Sequence, residues 1–292
     1  MRMFPQGRAL MPPRVSLELL RIGHCRHCER MVRADGHWHA VEFPALSVLI
    51  RHPQRGALLY DTGYAEHFFR ATDRWPERLY RWTTPVHLPA HETLGAQLAR
   101  RGVQLEEIAW CLISHFHADH VGGLRDLPNA HFLCLRADYQ QLRSCSRLGG
   151  LRRALLPQLL PEDFDRRLQF AEQAPLCALT GAWQGLGAAY DLFEDGSVLA
   201  VPLPGHVPGQ MGLWLRDQHD REVLLCADAV WSSATWSALQ WPAWPTRLLM
   251  HDWRAFRRTV QQLHALSHAY PELAILPSHC QPSLDRYQPE WR

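Results

Sequence analysis

The six residues His115–His120, with the sequence H-F-H-A-D-H, constrain what this chain can fold into more than any other feature. Four of the six side chains can bind a metal ion. In an extended or loop backbone alternate side chains share a face, so His115 and His117 can reach one metal, whereas Asp119 and His120 can reach a second. The apolar run I-A-W-C-L-I just before the motif and the Gly-Gly pair just after it predict a buried strand, a metal-binding loop and a turn into a helix.

Three later segments each place another potential ligand at the end of an apolar run. His206 stands in the loop P-G-H-V-P-G, Asp228 follows V-L-L-C-A, and His279 follows A-I-L-P-S. Ligands at strand ends converge on one edge of a sheet, where rigid strands meet adaptable loops. The alternative is a histidine-rich surface loop that binds no metal, and the recurrence of ligands after strands argues against it.

Composition places the chain among ordinary globular proteins. It has 292 residues, of which 47% are hydrophobic and 21% charged, and a net charge of +2 with neutral histidines. The basic residues are scattered, which gives no argument for a nucleic-acid partner. No apolar run approaches the roughly 20 residues that span a bilayer. Residues 1–15 lack the continuous apolar stretch of a secretory signal, so we expect a cytoplasmic protein without a membrane partner.

Apolar periodicity predicts strands alternating with helices, which indicates the α/β class with helices packed outside sheets. One domain is expected over residues 1–292. Residues 138–185 are rich in leucine and arginine and broken by prolines, so we predict a helical insertion there, either a lid over the site or a buttress. Strands are predicted at 46–51, 57–60, 108–113, 131–135, 197–203, 211–216, 222–227 and 273–276, and helices at 93–101 and about 251–268.

The order of these residues resembles the metallo-β-lactamase superfamily, in which H-x-H-x-D-H precedes a later histidine, a later aspartate and a final histidine. Asp61, in D-T-G, matches an early aspartate of that family that supports the site. The resemblance covers about residues 45–280. It implies a four-layer αββα sandwich with the site at one edge of the two sheets.

The resemblance also implies a dinuclear metal site, with Zn²⁺ as the ion that suits this donor set best. By the family pattern one ion is bound by His115, His117 and His206, a second ion is bound by Asp119, His120 and His279, and Asp228 bridges both. The implied activity is hydrolysis of an ester-type bond by a metal-bridging hydroxide. Asp119 and Asp228 are the catalytic candidates, since Asp119 can also pass a proton to the leaving group.

The stretches D-T-G, H-F-H-A-D-H-x-G-G and P-G-H-x-P-G-Q resemble most the N-acyl-homoserine lactonase branch, which implies a small substrate with an apolar part. A phosphodiesterase, a glyoxalase-II-like thioesterase and a non-catalytic metal-binding sensor remain as alternatives. Trp231 is the candidate for substrate binding, and it stands where some lactonases carry a tyrosine that donates to the substrate carbonyl. The tryptophans after Asp228 could line an apolar pocket, pack beneath a loop or form a homodimer face.

The segment H-C-R-H-C, with Cys25 and Cys28, is the one other metal-like pattern. It lacks a second ligand pair at zinc-finger spacing, although His37 and His39 could join it. The segment is therefore expected to be an ordinary loop or edge strand, with a small structural metal site as the alternative.

Overall fold

Two β-sheets packed face to face between two layers of helices form the fold, as expected of an αββα sandwich. The structure is a computed structural model that describes residues 12–32, 34 and 36–291, so most of the N-terminal segment weighed above as a signal lies outside the described residues. The strands are β1 Ser16–Cys28, β2 Ala40–His52, β3 Gly56–Tyr60, β4 Val86–His87, β5 Ile108–Leu112, β6 His131–Cys134, β7 Leu168–Phe170, β8 Leu176–Ala178, β9 Ala188–Asp191, β10 Val198–Pro202, β11 Met211–Arg216, β12 Glu222–Ala227 and β13 Ala274–Pro277.

The helices cover the outer faces of the two sheets and carry the loops of the site. They are α1 Glu66–Ala71, α2 Arg78–Thr83, α3 Leu94–Ala99, α4 Ala118–Val121, α5 Arg136–Ser144, α6 Arg147–Arg152, α7 Phe164–Arg167, α8 Ser233–Ser237, α9 Trp253–Ala269 and α10 Gln281–Tyr287. No helix among the described residues is long and apolar enough to cross a membrane.

Strand directions bring the candidate ligands to one edge. The first sheet has the order β4-β1-β2-β3-β5-β6-β7, in which β3, β5, β6 and β7 run parallel. The second has the order β13-β12-β11-β10-β9-β8, with β12 parallel to β13 and β10 pointing the same way because both β10 and β12 are antiparallel to β11. The H-x-H-x-D-H motif follows β5, and the other three ligands follow β10, β12 and β13.

Strands of both sheets are buried on both faces, which explains their nearly continuous apolar sequences. In β2, Val48 and Ile50 face the second sheet, whereas Leu49 faces the outer helices. In β12, Val223 and Leu225 face the first sheet and Leu224 packs towards α9. This alternation, with a period of two residues, fixes the register of each strand between two cores.

Helix α9 packs on the outer face of the second sheet through the stripe predicted from the sequence. Phe256, Val260 and Leu263 are all buried in that core. The helix begins after Asp252, whose carboxylate accepts hydrogen bonds from the amides of residues 254 and 255 and so caps the first turn.

Two parts of the sequence interpretation need correction. Residues 138–185 contain helices up to α7 but also two strands, because β7 pairs with β6 and β8 pairs with β9, so this segment extends both sheets at their edges. The H-C-R-H-C segment is the end of β1, which is an inner strand flanked by β2 and β4. Sequence reasoning did not predict β1 because Gly23, with φ +72°, and a shift of register between Arg21 and His24 interrupt its alternation.

Candidate metal centre

The motif loop is held in place by buried carboxylates on both sides. Asp61, which follows β3, accepts the backbone N–H of Ser114 at 2.7 Å. Asp138, in the first turn of α5, accepts the backbone N–H of Phe116 at 2.9 Å. The loop between β5 and α4 therefore has its amides satisfied in a conformation that turns its imidazoles towards the edge of the sheets.

The first ligand group contains His115, His117, His206 and Asp228, whose candidate ligand atoms all lie within 4.8 Å of one another. His206 Nε2 and His117 Nδ1 lie 3.0 Å apart. The motif loop supplies two of these imidazoles and the loop after β10 supplies the third. The sequence prediction of which residues meet here agrees with this geometry.

The second group contains Asp119, His120 and His279, again within 4.8 Å of one another. Asp228 lies between the groups. Its Oδ1 is 3.4 Å from His120 Nε2 and 3.2 Å from His279 Nε2, while its Oδ2 is 3.5 Å from His206 Nε2. Asp228 thus directs Oδ1 towards the second group and Oδ2 towards the first.

Outer hydrogen bonds set the orientation of three imidazoles through their Nδ1 atoms. His120 Nδ1 is 2.7 Å from Oδ2 of Asp61, and His279 Nδ1 is 2.7 Å from the carbonyl oxygen of Pro44. His115 Nδ1 is 2.9 Å from the hydroxyl of Ser114. A carbonyl or carboxylate can only accept, so at His120 and His279 the Nδ1 carries the proton and the Nε2 is free to bind a cation.

The buried atoms left without a hydrogen-bond partner fit a metal ion. His115 Nε2, His120 Nε2 and Asp228 Oδ1 are all buried and make no hydrogen bond within the part of the chain that the structure describes. Buried polar atoms are rarely left unpaired, because each one then forfeits its hydration. Imidazole nitrogens and carboxylate oxygens pointing at a common centre are the donor set of a divalent cation site.

The electrostatics of the two groups differ. Burial, reinforced by His117, lowers the pKa of His206 to about 3, which keeps that imidazole in the neutral form that binds metals. Burial would also lower the pKa of His120, but the carboxylates of Asp119, Asp61 and Asp228 outweigh it and raise the pKa to about 10. The carboxylates in and around the second group thus favour positive charge there, as expected of a cation site.

A cavity of about 560 Å³ opens directly above the ligand groups. His117, Asp119, His206, Asp228 and His279 form part of its lining. The apolar part of its lining, termed the apolar wall, includes Met31, Val32, Phe43, Leu248, Leu249 and Met250, and the polar part includes Cys25, His27, Thr84, Gln141, Arg152 and Arg153. This volume lies within the range of small-molecule sites, and the mixed apolar and polar lining suits a ligand with an apolar part and a polar head.

Of the four tryptophans that follow Asp228, Trp231 lines this cavity and the other three do not. Trp236 lies on α8, Trp241 packs against Trp253, and the side chain of Trp244 is 74% exposed. The predicted helical insertion contributes residues 141, 152, 153 and 154 to the lining. Cys25 lies in the cavity wall, and no metal-ligand group forms around it or Cys28 among the described residues.

Sequence reasoning missed the residues that orient the ligands. Ser114, which precedes the motif, hydrogen-bonds the rings of His115 and His120, and Asp138 holds the motif backbone. The role of Asp138 could have been suspected from the sequence, because an acidic side chain buried in an amphipathic helix needs a hydrogen-bond or charge partner. The carbonyl of Pro44 carries no such signal, since every residue has a carbonyl.

Comparison with known proteins agrees with this geometry. Residues 40–279 match the metallo-beta-lactamase superfamily. An N-acyl homoserine lactonase, AttM, of Azorhizobium caulinodans is 28% identical over 204 residues, which cover 67% of this chain and 68% of the relative. A probable metallo-hydrolase of Mycobacterium bovis is 30% identical over 194 residues, which cover 64% of this chain and 57% of that protein.

Solved structures share the fold. An N-acyl homoserine lactone hydrolase with N-hexanoyl-L-homoserine bound at its catalytic metal centre superposes with a TM-score of 0.70 at 17% identity, over 94% of this chain and 97% of the other. The dizinc lactonase AidC superposes with a TM-score of 0.61 at 15% identity, over 93% and 90% of the two chains. At such identities the likeness shows the common fold.

Proposed function

The chain belongs to the metallo-beta-lactamase superfamily and is a hydrolase of that superfamily, and from this premise we propose that it opens lactones of the N-acyl-homoserine type with two divalent metal ions, most suitably Zn²⁺. The observation that carries the proposal is the position of the two ligand groups at the base of a cavity with an apolar wall. The named activities of AttM and of the superposed lactonases support the same class of substrate.

The proposed ligand sets follow the two groups of side chains. His115, His117 and His206 hold one ion, Asp119, His120 and His279 hold the other, and Asp228 contributes one oxygen to each. Bound divalent ions would supply a water made nucleophilic at neutral pH and a polarised substrate carbonyl. Asp61 keeps the Nδ1 proton of His120 in place, so that the Nε2 lone pair faces the ion.

Asp119 is the proposed proton carrier. Its Oδ2 lies 3.3 Å from His279 Nε2, and the side chain lines the cavity while staying mostly buried. Burial would raise its pKa, but His120 and His279 lower it to about 2, so the carboxylate is ionised at neutral pH. We assign Asp119 the transfer of that proton from the attacking water to the ring oxygen that leaves.

The apolar wall gives the substrate its orientation. Phe43 and Met250 line the cavity and are largely buried, while Leu248 and Leu249 also line it and are exposed. An acyl chain lying along this wall would place a lactone ring next to the ligand groups. The face of the Trp231 indole, which also lines the cavity, completes the contact with the substrate.

Metal analysis joined to a substrate panel tests the proposal. We expect purified protein to contain about two divalent ions per chain and to hydrolyse N-hexanoyl- and N-decanoyl-homoserine lactone faster than a thioester or bis-p-nitrophenyl phosphate. His117→Ala should lose metal and activity together, because it removes an imidazole of the first group. His268→Ala is the matched control, since that exposed histidine lies on α9 outside both groups.

Each part of the proposal can fail separately in this experiment. Hydrolysis of the phosphodiester at a rate above that of every lactone would show that the bond class is wrong. A chain that retains full activity after complete removal of metal would show that the mechanism is wrong. A metal-loaded protein that turns over none of these substrates would favour the sensor alternative.

A further inference from the structure

The indole ring of Trp231 is fixed by packing on several sides. It contacts both the core beneath the first sheet and the core beneath α9. Its ring also lies edge to face against the ring of His206, with centroids 5.4 Å apart and an interplanar angle of 77°. A ring held by two cores and a neighbouring imidazole has little freedom to rotate, so the direction of its N–H is set by the fold.

That N–H points at the carboxylate that lies between the two ligand groups. Trp231 Nε1 donates a hydrogen bond of 2.8 Å to Oδ2 of Asp228. The side chain of Asp228 is only 5% exposed, and its Oδ1 faces His120 and His279. A carboxylate has about four lone-pair sites, so Oδ2 can accept the indole N–H and still offer a lone pair to a cation.

The backbone after Trp231 is anchored to the loop that carries another ligand. The hydroxyl of Ser232 accepts the amide of Ala234 and caps α8. The amide of Ser233 donates to the sulfur of Cys280, at 3.1 Å, and Cys280 directly follows His279 in the chain. The position of Trp231 is thereby tied to the same loop that presents His279.

We propose that Trp231 is a positioning residue whose indole N–H holds Asp228 in the orientation that presents one oxygen to each ligand group. The inference rests on the proposed metal site and adds a role to it. Because the N–H is engaged by Asp228, Trp231 contacts substrate through its ring face alone. The indole nitrogen is therefore not available for a hydrogen bond to the substrate carbonyl of the kind that a tyrosine donates at this position in some lactonases.

Trp236 provides a matched comparison within the same segment. Its Nε1 is buried and has no hydrogen-bond partner among the described residues, and its side chain does not line the cavity. Trp→Phe at either position removes an indole N–H and shrinks an aromatic ring by a similar amount. Only at position 231 does the change remove a hydrogen bond to a proposed ligand.

Metal titration of the apo forms of Trp231→Phe, Trp236→Phe and the wild type tests the role. With Co²⁺ and a competing chelator, we expect Trp231→Phe to bind at least one ion about 10–100-fold more weakly and to show an altered visible spectrum, since hydrogen bonds to ligands tune metal affinity to that degree. Trp236→Phe should bind within about twofold of the wild type. Equal affinities and spectra for all three proteins would overturn the proposal.

Indole ¹⁵N–¹H spectra of the wild type test the hydrogen bond without relying on the variant's folding. We expect the Trp231 resonance to lie downfield, to exchange slowly with solvent and to shift when Zn²⁺ is added. A Trp231 resonance that exchanges as fast as that of exposed Trp244 would overturn the inference. A wild type that binds no metal would overturn the proposed function as well, whereas normal metal binding with an unaltered Trp231→Phe would overturn the inference alone.

Discussion

Asp61 both holds the backbone of the motif loop and orients the ring of His120. Its carboxylate accepts from the amide of Ser114 and lies 2.7 Å from His120 Nδ1, although its backbone has φ +59°, a conformation that few non-glycine residues adopt. Aspartate tolerates this left-handed region better than most residues. The strained backbone conformation therefore occurs at the position where a short carboxylate side chain must reach the motif loop.

His52 provides a pH-dependent contribution to stability away from the site. Its Nδ1 accepts the amides of Gln54 and Arg55 in the turn between β2 and β3, and its Nε2 is 2.8 Å from the hydroxyl of Ser197. Burial lowers the pKa of His52 from 6.5, and Arg55 acts in the same direction, while Asp195 opposes them. The folded protein therefore keeps the ring neutral at a pH where the unfolded chain protonates it.

The expected result is a loss of stability in mild acid that depends on His52. Because the pKa of His52 is lower in the folded state, its contribution to the unfolding free energy is fully present above about pH 6.5. This contribution is lost as the pH falls below 6.5 towards the pKa of the folded state. His52→Asn keeps an acceptor for the turn amides but does not titrate. Urea unfolding at pH 7.5 and 5.5 should show a larger loss of unfolding free energy for the wild type than for this variant. Equal losses in the two proteins would contradict the prediction.

The candidate ligands could be singled out from the sequence because each combines a metal-binding side chain with a position after an apolar run. Asp228 and His279 could be assigned on that basis before their neighbours were known. The hydrogen-bond partner of Trp231 could not, because it depends on a side-chain rotamer set by two cores that come together only in the folded chain. The contact of Pro44 with His279 could not be predicted from the sequence either, because Pro44 acts through its backbone carbonyl.

At the scale of elements, the start of α9 is locked to the loop that carries His206. The amide of His251 donates to the carbonyl of His206, and the amide of Asp252 donates to that of Gly205, both at 3.0 Å. Gly205 has φ +140°, and a Cβ there would lie 2.3 Å from Cα of Phe256. Only glycine allows the helix and the ligand loop to approach this closely.

Gly205→Ala should therefore destabilise the fold and weaken metal binding together. We expect a loss of roughly 2–5 kcal/mol in unfolding free energy, from backbone strain and from the collision with α9. Gly102→Ala is the control, because Gly102 also has a positive φ, +68°, but nothing lies within 4 Å of a Cβ there. Denaturant unfolding and Zn²⁺ titration measure the two effects. Equal losses in the two variants would show that packing against α9 contributes nothing.

Elements were predictable where apolar runs were long and uniform, as in β2, β5, β10, β11, β12 and α9. The short strands β7 and β8 have three residues each, too few to show a period of two. Their partners β6 and β9 decide their conformation, and this information lies elsewhere in the chain. The prediction of a helical segment therefore missed these two strands.

At the scale of the whole molecule, the site joins the two sheets. The first sheet supplies four candidate ligands through the loop after β5, and the second sheet supplies His206, Asp228 and His279. Each group contains residues from both sheets. A bound ion would thus link the two layers at the edge where the cavity opens.

Removing the metal should accordingly lower global stability. At a free Zn²⁺ concentration about 100 times its dissociation constant, an ion that binds only the folded state adds about 2.7 kcal/mol to the unfolding free energy. We expect the wild type to unfold at a lower denaturant concentration in a chelator than in Zn²⁺, and His117→Ala to show a smaller difference. Superimposable unfolding curves for the wild type in the two conditions would contradict the linkage.

The order of the ligands along the chain has a consequence for biosynthesis. Ribosomes make His115, His117, Asp119 and His120 early, His206 and Asp228 later, and His279 last, at the end of the final strand. A nascent chain released before β13 would carry all four residues of the first group but would lack His279 of the second. If the chain binds two ions as proposed, the first group could take up its ion once Asp228 has been made, whereas the second group could do so only after translation of nearly the whole sandwich.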